Sequence, residues 1–401
     1  MPATRREFLK SSAVASVTLL AAPRLLRATE HPGRTLVIVQ LAGGNDSLNT
    51  LIPYSDPRYR RLRPALALKD RELLPVDDRF ALHPSLARVA PLVEQKKIAF
   101  IDGVGFASLD RSHFRSQDVW QTADEGCGRD HKHRLGWVGR YADRYLAAAE
   151  SPLVTLAIGN QMPLGMSVEH RRPTVIPELS RFVLSRGSSG DQAMAALRDI
   201  YGIRRDHDPL TEAIRAYGED MFRAVAVTAG AAGEPPRVIY PTSRLGEALR
   251  SVGSMVATHP EIQVAWVTIG GYDTHAKQSG DHAALLSDLS SSLAAFQADL
   301  ETRKLDDRVL LMAWSEFGRR AAENASGGTD HGKAGLVLMM GSRVRGGLFG
   351  EPPDLGRLDD GDLPSRVDFR SVYSTVIRDW FGRDPEPVLG RAYPALGFLR
   401  S

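Results

Sequence analysis

Four short segments of this 401-residue chain hold the residues best suited to chemistry. The first, Gly43-Gly44-Asn45-Asp46-Ser47-Leu48-Asn49, sets a carboxylate beside a hydroxyl on a glycine-rich turn. Asp46 could hold a metal ion and Ser47 could act as a nucleophile, because a bound metal lowers a hydroxyl's pKa toward neutrality. The same residues also make an ordinary Gly-Asn-Asp turn whose serine caps a helix. In the second segment, Gly270-Gly271-Tyr272-Asp273-Thr274-His275, Asp273 and His275 lie two apart and project to one side of extended chain. They could reach one ion together, or hydrogen-bond each other within a turn. Oxygen and imidazole ligands in mixture suit Zn, Mn or another first-row divalent metal better than Mg or Ca.

The third segment, Ser315-Glu316-Phe317-Gly318-Arg319-Arg320, places Glu316 as a metal-ligand candidate. Arg319 and Arg320 either hold an anionic group or face solvent, and the solvated reading is preferred. The fourth, Gly327-Gly328-Thr329-Asp330-His331-Gly332, offers Asp330 and His331 as site residues or as a local turn lock. His113 is either a buried histidine with satisfied nitrogens or a ligand or proton donor. One shared metal site explains an acid–hydroxyl pair, an Asp-x-His, a Glu and an Asp-His from separate parts of the chain at once.

The elements that must position these residues are short apolar runs separated by amphipathic stretches. The runs are 35–41, 97–101, 153–157, 264–269, 309–314 and 336–340, and helices are predicted over 84–95, 135–149, 210–228, 243–257, 282–303 and 369–381. Nearly continuous apolar strands alternating with helices indicate an α/β protein with a mostly parallel sheet covered on both faces. Three of the polar segments directly follow a run, and the carboxyl ends of such strands are where function collects. Residues 161–186, rich in Pro, Arg and Ser, read as an irregular insertion over one end of the sheet.

The amino terminus has a character of its own. Thr4-Arg5-Arg6-Glu7-Phe8-Leu9-Lys10, an apolar run over 11–22 and the small-residue end at Ala28 resemble a twin-arginine export signal. Cleavage near Ala28 would leave a single domain over 29–401, exported or periplasmic. The apolar run is too short to span a bilayer, which takes roughly 20 residues, so no stable membrane anchor is expected. The chain's net charge of +3 belongs to this segment. Arg5, Arg6, Lys10, Arg24 and Arg27 against Glu7 give +4, leaving 3 − 4 = −1 for the remainder, so charge gives no reason to expect nucleic acid as a partner. With one cysteine, Cys127, no internal disulfide framework is possible, and stability must come from the core.

With these motifs in order, the chain resembles the DUF1501 family of exported bacterial proteins, related to the alkaline phosphatase and sulfatase superfamily. The resemblance spans Leu36 to about Gly397. Besides the four segments it rests on Arg111-Ser112-His113-Phe114 with Gln117, Asp118 and Trp120, and on Gly136-Trp137-Val138-Gly139-Arg140-Tyr141. It implies an alkaline-phosphatase-like three-layer α/β/α sandwich and one or two divalent ions. Asp273, His275 and His331 match the superfamily's first metal site, and Asp46 and Ser47 match part of the second. That second site's strand-end Asp-His pair falls here on Glu316-Phe317, where phenylalanine cannot ligate. Either Asp330 or His113 fills the gap, or the second site is weak, or a single ion binds. The implied activity is hydrolysis of a phosphate or sulfate ester, with Ser47 attacking. The substrate would be an anionic small-molecule or polysaccharide ester, and the twin-arginine translocase the partner during export. Ser47 is followed by Leu-Asn-Thr, which does not fit the context for conversion to formylglycine. An envelope binding or assembly protein that keeps the metal-site fold is the alternative, and a phosphomutase-type transferase a third.

Overall fold

The computed structural model describes residues 33–108, 111–126, 135–170, 172–177 and 234–400, with scattered positions between 192 and 224. The predicted export signal, Cys127 and most of the helix predicted over 210–228 lie outside the described residues.

Strand β1 (Thr35–Leu41) is buried along its whole length, as its unbroken Leu-Val-Ile-Val core requires. It is central to a nine-stranded sheet with β2 (Ile98–Gly105), β3 (Thr155–Ile158), β4 (Thr174–Ile176), β5 (Val264–Ile269), β6 (Val309–Trp314), β7 (Gly335–Met340), β8 (Gly347–Gly350) and β9 (Val367–Asp368). The order is β8-β2-β7-β6-β1-β5-β3-β4, with β9 also on β2. Only β7 runs antiparallel to its neighbours, β2 and β6. The remaining pairs are parallel, so β1, β5 and β6 open their carboxyl ends on the same edge.

Side chains alternate along β1 and feed two separate cores. Val37, Val39 and Leu41 pack with Leu249 and Val252 of α4 (Arg244–Thr258) and with Leu293 and Phe296 of α5 (Gln278–Arg303). Leu36 and Ile38 face the other side. They join Val119 and Trp120 of α2 (His113–Thr122), Trp137 and Tyr141 of α3 (Trp137–Tyr145) and Phe369 and Tyr373 of α6 (Phe369–Thr375). There Trp120 stacks on Trp314 with centroids 4.8 Å apart. Helices on both faces of a mostly parallel sheet make the expected three-layer sandwich.

All six predicted strands are present, and β2 continues to Gly105. Helix α5 begins at Gln278, four residues before its expected start, because its inward positions Gln278 and His282 are polar where they meet the site. Prolines split the helix predicted over 84–95 into a 3₁₀ turn at Pro84–Leu86 and a short helix at Ala90–Glu94. Within 161–186, residues 164–166 form a 3₁₀ turn and 174–176 the edge strand β4. A small sheet of Leu51–Ile52, Ala81–Leu82 and Leu74–Pro75 and the helix α1 (Pro57–Leu62) were not anticipated.

Candidate metal centre

Beyond β1 the chain turns through Gly43 and Gly44 at φ +124° and +78°, angles that suit glycine. Their missing side chains also let three loops close up. A Cβ on Gly43 would lie 2.4 Å from the Asp273 amide nitrogen, and one on Gly44 2.5 Å from the Phe317 ring. The turn's backbone amides are spent on the loop after β6. Gly43 N–H donates to Glu316 Oε1 at 2.9 Å, and Gly44 and Asn45 N–H donate to Ser315 Oγ at 3.0 and 2.9 Å.

Asp273 follows β5 and carries the centre of the site. Its Oδ1 lies 3.0 Å from His275 Nε2 and 3.1 Å from His331 Nε2, and its Oδ2 lies 3.4 Å from His113 Nε2. The nitrogens of His275 and His331 are themselves 2.9 Å apart. Each ring is held from behind by a group that can only accept. His113 Nδ1 meets Glu316 Oε1 at 2.7 Å, His275 Nδ1 meets Asp330 Oδ1 at 3.2 Å, and His331 Nδ1 meets the Arg111 carbonyl at 2.9 Å. The proton of each neutral ring therefore belongs on Nδ1. Three Nε2 lone pairs then converge on a carboxylate whose donor is Arg319, an arrangement that a bound cation would satisfy. Among the described residues, His113 Nε2 is buried and has no hydrogen-bond partner. His113, Asp273 and His331 each offer a ligand atom, all within 4.8 Å of one another. Ligands on a tetrahedral zinc ion stand about 3.3 Å apart, given Zn–N distances near 2.05 Å, so the residues fit such an ion.

The ionised Asp273 and the lowered His331 pKa suit this role, whereas the raised His113 pKa favours a ring proton that an ion would have to displace. Burial works to raise the Asp273 pKa, but hydrogen bonds with Arg319 and His331 and the charges of Arg319 and His113 hold it at about 2. Desolvation lowers the His331 pKa, against its bond with Asp273. The hydrogen bond to Glu316 raises that of His113. Glu316 is fully buried, and it also accepts from Gln117 Nε2 at 2.9 Å. It sits behind His113 and orients the ring, so the structure brings His113, Asp273, His275 and His331 together at the front and Glu316 and Asp330 at the back.

Asp46 and Ser47 are placed differently. Asp46 is 1% exposed and its Oδ2 accepts from Arg63 Nη1 at 2.6 Å and from the Gln278 amide. Burial alone would raise its pKa, yet the Arg63 charge and hydrogen bond bring it below the usual range. Ser47 opens a 3₁₀ turn at 4% exposure. Arg63, itself buried, also donates to Asn49 Oδ1 at 2.8 Å and to the carbonyls of Ala321 and Arg320, both at 3.0 Å. Its run Arg60-Arg61-Leu62-Arg63 reads in sequence as a solvated basic stretch, which is why sequence reasoning missed it.

The solvated reading fails for Arg319. This side chain is 1% exposed and donates to the carbonyls of Gly44 (2.6 Å), Thr329 (2.8 Å), Tyr272 (2.9 Å) and Gly43, and to Asp273 Oδ1 at 2.8 Å. Its planar donor fork spans three loops, a task unsuited to solvent-facing lysine-like chemistry. Arg320 is partly exposed and reaches Asp360. Phe317 fills the space beside the cluster, its ring 4.8 Å from His113 and 4.7 Å from His331.

The fold is thus a mostly parallel α/β sandwich that gathers a His/Asp cluster at its strand ends. Residues 112–380 match the DUF1501 family, described as "Protein of unknown function", and the chain belongs to that family. No curated protein matches the sequence. Among solved structures, the C-terminal periplasmic domain of EcEptC from Escherichia coli, in complex with Zn, aligns over 90% of this chain and 88% of its own at 10% identity and TM-score 0.42. A mutant of the alkaline phosphatase from the Antarctic bacterium TAB5 with Mg bound aligns over 77% and 92% at 10% identity and TM-score 0.36. The PsFucS1 sulfatase from Pseudoalteromonas sp. aligns over 94% and 72% at 10% identity and TM-score 0.35. These are distant likenesses, and the functional reading rests on the side chains.

Proposed function

We propose that this protein is an exported, metal-dependent hydrolase of a phosphate or sulfate ester. The observation that carries the reading is the convergence of three Nε2 lone pairs on the Asp273 carboxylate. His113, Asp273, His275 and His331 would hold a divalent ion, with zinc favoured by the nitrogen-rich set. Such an ion supplies a Lewis acid for an ester oxygen and stabilises charge that develops on the transferred group. Glu316, Asp330 and the Arg111 carbonyl keep the rings aimed. Arg319 holds Asp273 ionised and spends its donors within the protein, so it is not free to bind substrate. Ser47 is the candidate nucleophile, one residue from Asp46 on the turn that packs against Asp273.

A second reading has its own support. The Asp46–Arg63 ion pair places a fixed cation on the carboxylate that would otherwise serve a second ion, and Ser47 is nearly inaccessible. These features favour a binding or assembly protein with a single-ion site. Elemental analysis of the purified protein, with assays on phosphate monoester, phosphate diester and sulfate ester probes, separates the two. The hydrolase reading expects about one equivalent of metal and cleavage that is lost in His331→Ala; Ser47→Ala decides whether the serine attacks. Full metal occupancy with no ester cleaved would establish the binding reading instead.

Export is proposed on the amino-terminal segment. No helix among the described residues is long and apolar enough to cross a membrane. Replacing Arg5 and Arg6 together by lysine is expected to retain the protein in the cytoplasm, as seen by fractionation; unchanged export would remove the twin-arginine assignment.

A further inference from the structure

A cleft of about 380 Å³ opens beside the cluster, within the usual size of a ligand site. Helix α2 connects the two. His113, Gln117 and Gln121 stand at i, i+4 and i+8 on one face of it, the first in the cluster and the other two lining the cleft. The Gln117 amide touches both, since its Nε2 donates to the Glu316 oxygen that holds His113. A second cleft of about 500 Å³ shares Asn160, Arg244 and Thr268 with the first, so the two form one groove over the ends of β3 and β5. Ligands of α/β sheets lie at such strand ends.

The first cleft is lined by amides and one cation. Asn160 and Gln161 are exposed amides with donors and an acceptor, Gln117 and Gln121 spend part of their capacity on Glu316, Gln40 and Gly165, Arg244 is exposed, and no described lining residue is acidic. Among the described residues Arg244 has no ion-pair partner, whereas Arg250, one turn and a half along the same helix, is paired with Glu247. Side-chain amides match hydroxyl groups, which also donate and accept, and a lone cation selects an anionic substituent.

We infer that this groove is a carbohydrate subsite: the ester cleaved at the cluster is carried on a sugar whose neighbouring residue lies along Gln117, Gln121 and Asn160 and presents a second anionic group to Arg244. The inference rests on the hydrolase reading for the fate of the ester, but binding tests it independently. Titration calorimetry of the purified protein with a disulfated disaccharide and its monosulfated counterpart, with a phosphoserine peptide as competitor, is the experiment. Wild type is expected to prefer the disulfated sugar. Arg244→Gln should weaken that sugar about tenfold, the loss of one charge-assisted hydrogen bond, and leave the monosulfated sugar and p-nitrophenyl phosphate turnover unchanged. Asn160→Ala should weaken both sugars. If p-nitrophenyl phosphate is not cleaved while the Arg244 dependence stands, the subsite is supported and only the hydrolase reading falls. Equal binding by wild type and both variants, or displacement by the peptide at lower concentration than by the sugar, would overturn the subsite.

Discussion

His331 gives its Nδ1 proton to the Arg111 carbonyl and aims Nε2 at Asp273 and His275, while desolvation keeps the ring neutral. Removing it takes a lone pair from the middle of the cluster. His331→Ala is therefore expected to lose bound metal, measured by elemental analysis, and Asp46→Asn to keep it, since Asp46 is already satisfied by Arg63. Equal loss in both would return Asp46 to the ligand set. Glu316 acts through His113 and never needs to touch the ion. Glu316→Gln should weaken metal affinity roughly 10- to 100-fold, the cost of altering such an orienting partner, while circular dichroism stays unchanged. Arg319 is a different case, because its loss leaves four carbonyls and a carboxylate without their donor. Arg319→Ala should cost about 3–5 kcal/mol of stability in denaturant titration, and Arg319→Lys should recover little, since one ammonium cannot span the three loops.

Among the strands, β2 carries a buried acid in its interior. Burial pushes the Asp102 carboxyl up to about 7, against a single hydrogen bond from the Gly103 amide at 2.7 Å. The fold keeps this proton after the unfolded chain, with its value of 3.8, has lost it. Stability therefore falls as pH rises from about 4 through about 7, and is flat beyond. Asp102→Asn retains an acceptor for Gly103 and removes the charge. The variant should match wild type near pH 4 and exceed it above pH 7 by up to about 4 kcal/mol, the ceiling set by a three-unit shift. Thermal melts across that range check it, and parallel curves for the two proteins would show that Asp102 ionises freely. Helix α5 shows a related economy: it buries Leu286, Leu289, Leu293, Phe296 and Leu300 in the core but begins with buried Gln278 and His282, which bond Asp46 and Asn45.

The molecule as a whole closes its site from segments that are far apart in sequence, around residues 43, 113, 273, 316 and 331. Only the folded chain brings their donors together, so an ion held there stabilises the fold. At a concentration a thousand times its dissociation constant the gain is about 4 kcal/mol. Chelation should lower the melting temperature by several degrees, and zinc should restore it; a melting temperature indifferent to both would argue against a metal within the cluster. Such a site also gives a physical motive for the proposed export in the folded state, in which the metal is loaded before the membrane is crossed.

The six apolar runs were legible because strands buried on both faces must be apolar almost throughout, and the Asp-x-His and Gly-flanked Asp-His were legible because residues so placed have few other uses. Asp273, His275 and His331 could be named on local pattern and resemblance. What the chain's one-dimensional order could not tell was which charged groups are buried. Arg63 and Arg319 stand in basic runs that look solvated, yet both are inside, because partners hundreds of residues away in Arg319's case supply the acceptors that permit burial. Nor could it place His113, whose helix α2 has a largely polar sequence and is recognisable only from the Val119 and Trp120 it packs inward. Local pattern determined the elements and the kinds of ligand. The tertiary structure alone decided that Glu316 stands behind His113, and that Asp46 is paired with an arginine, because pairing depends on which loops meet at the sheet's edge.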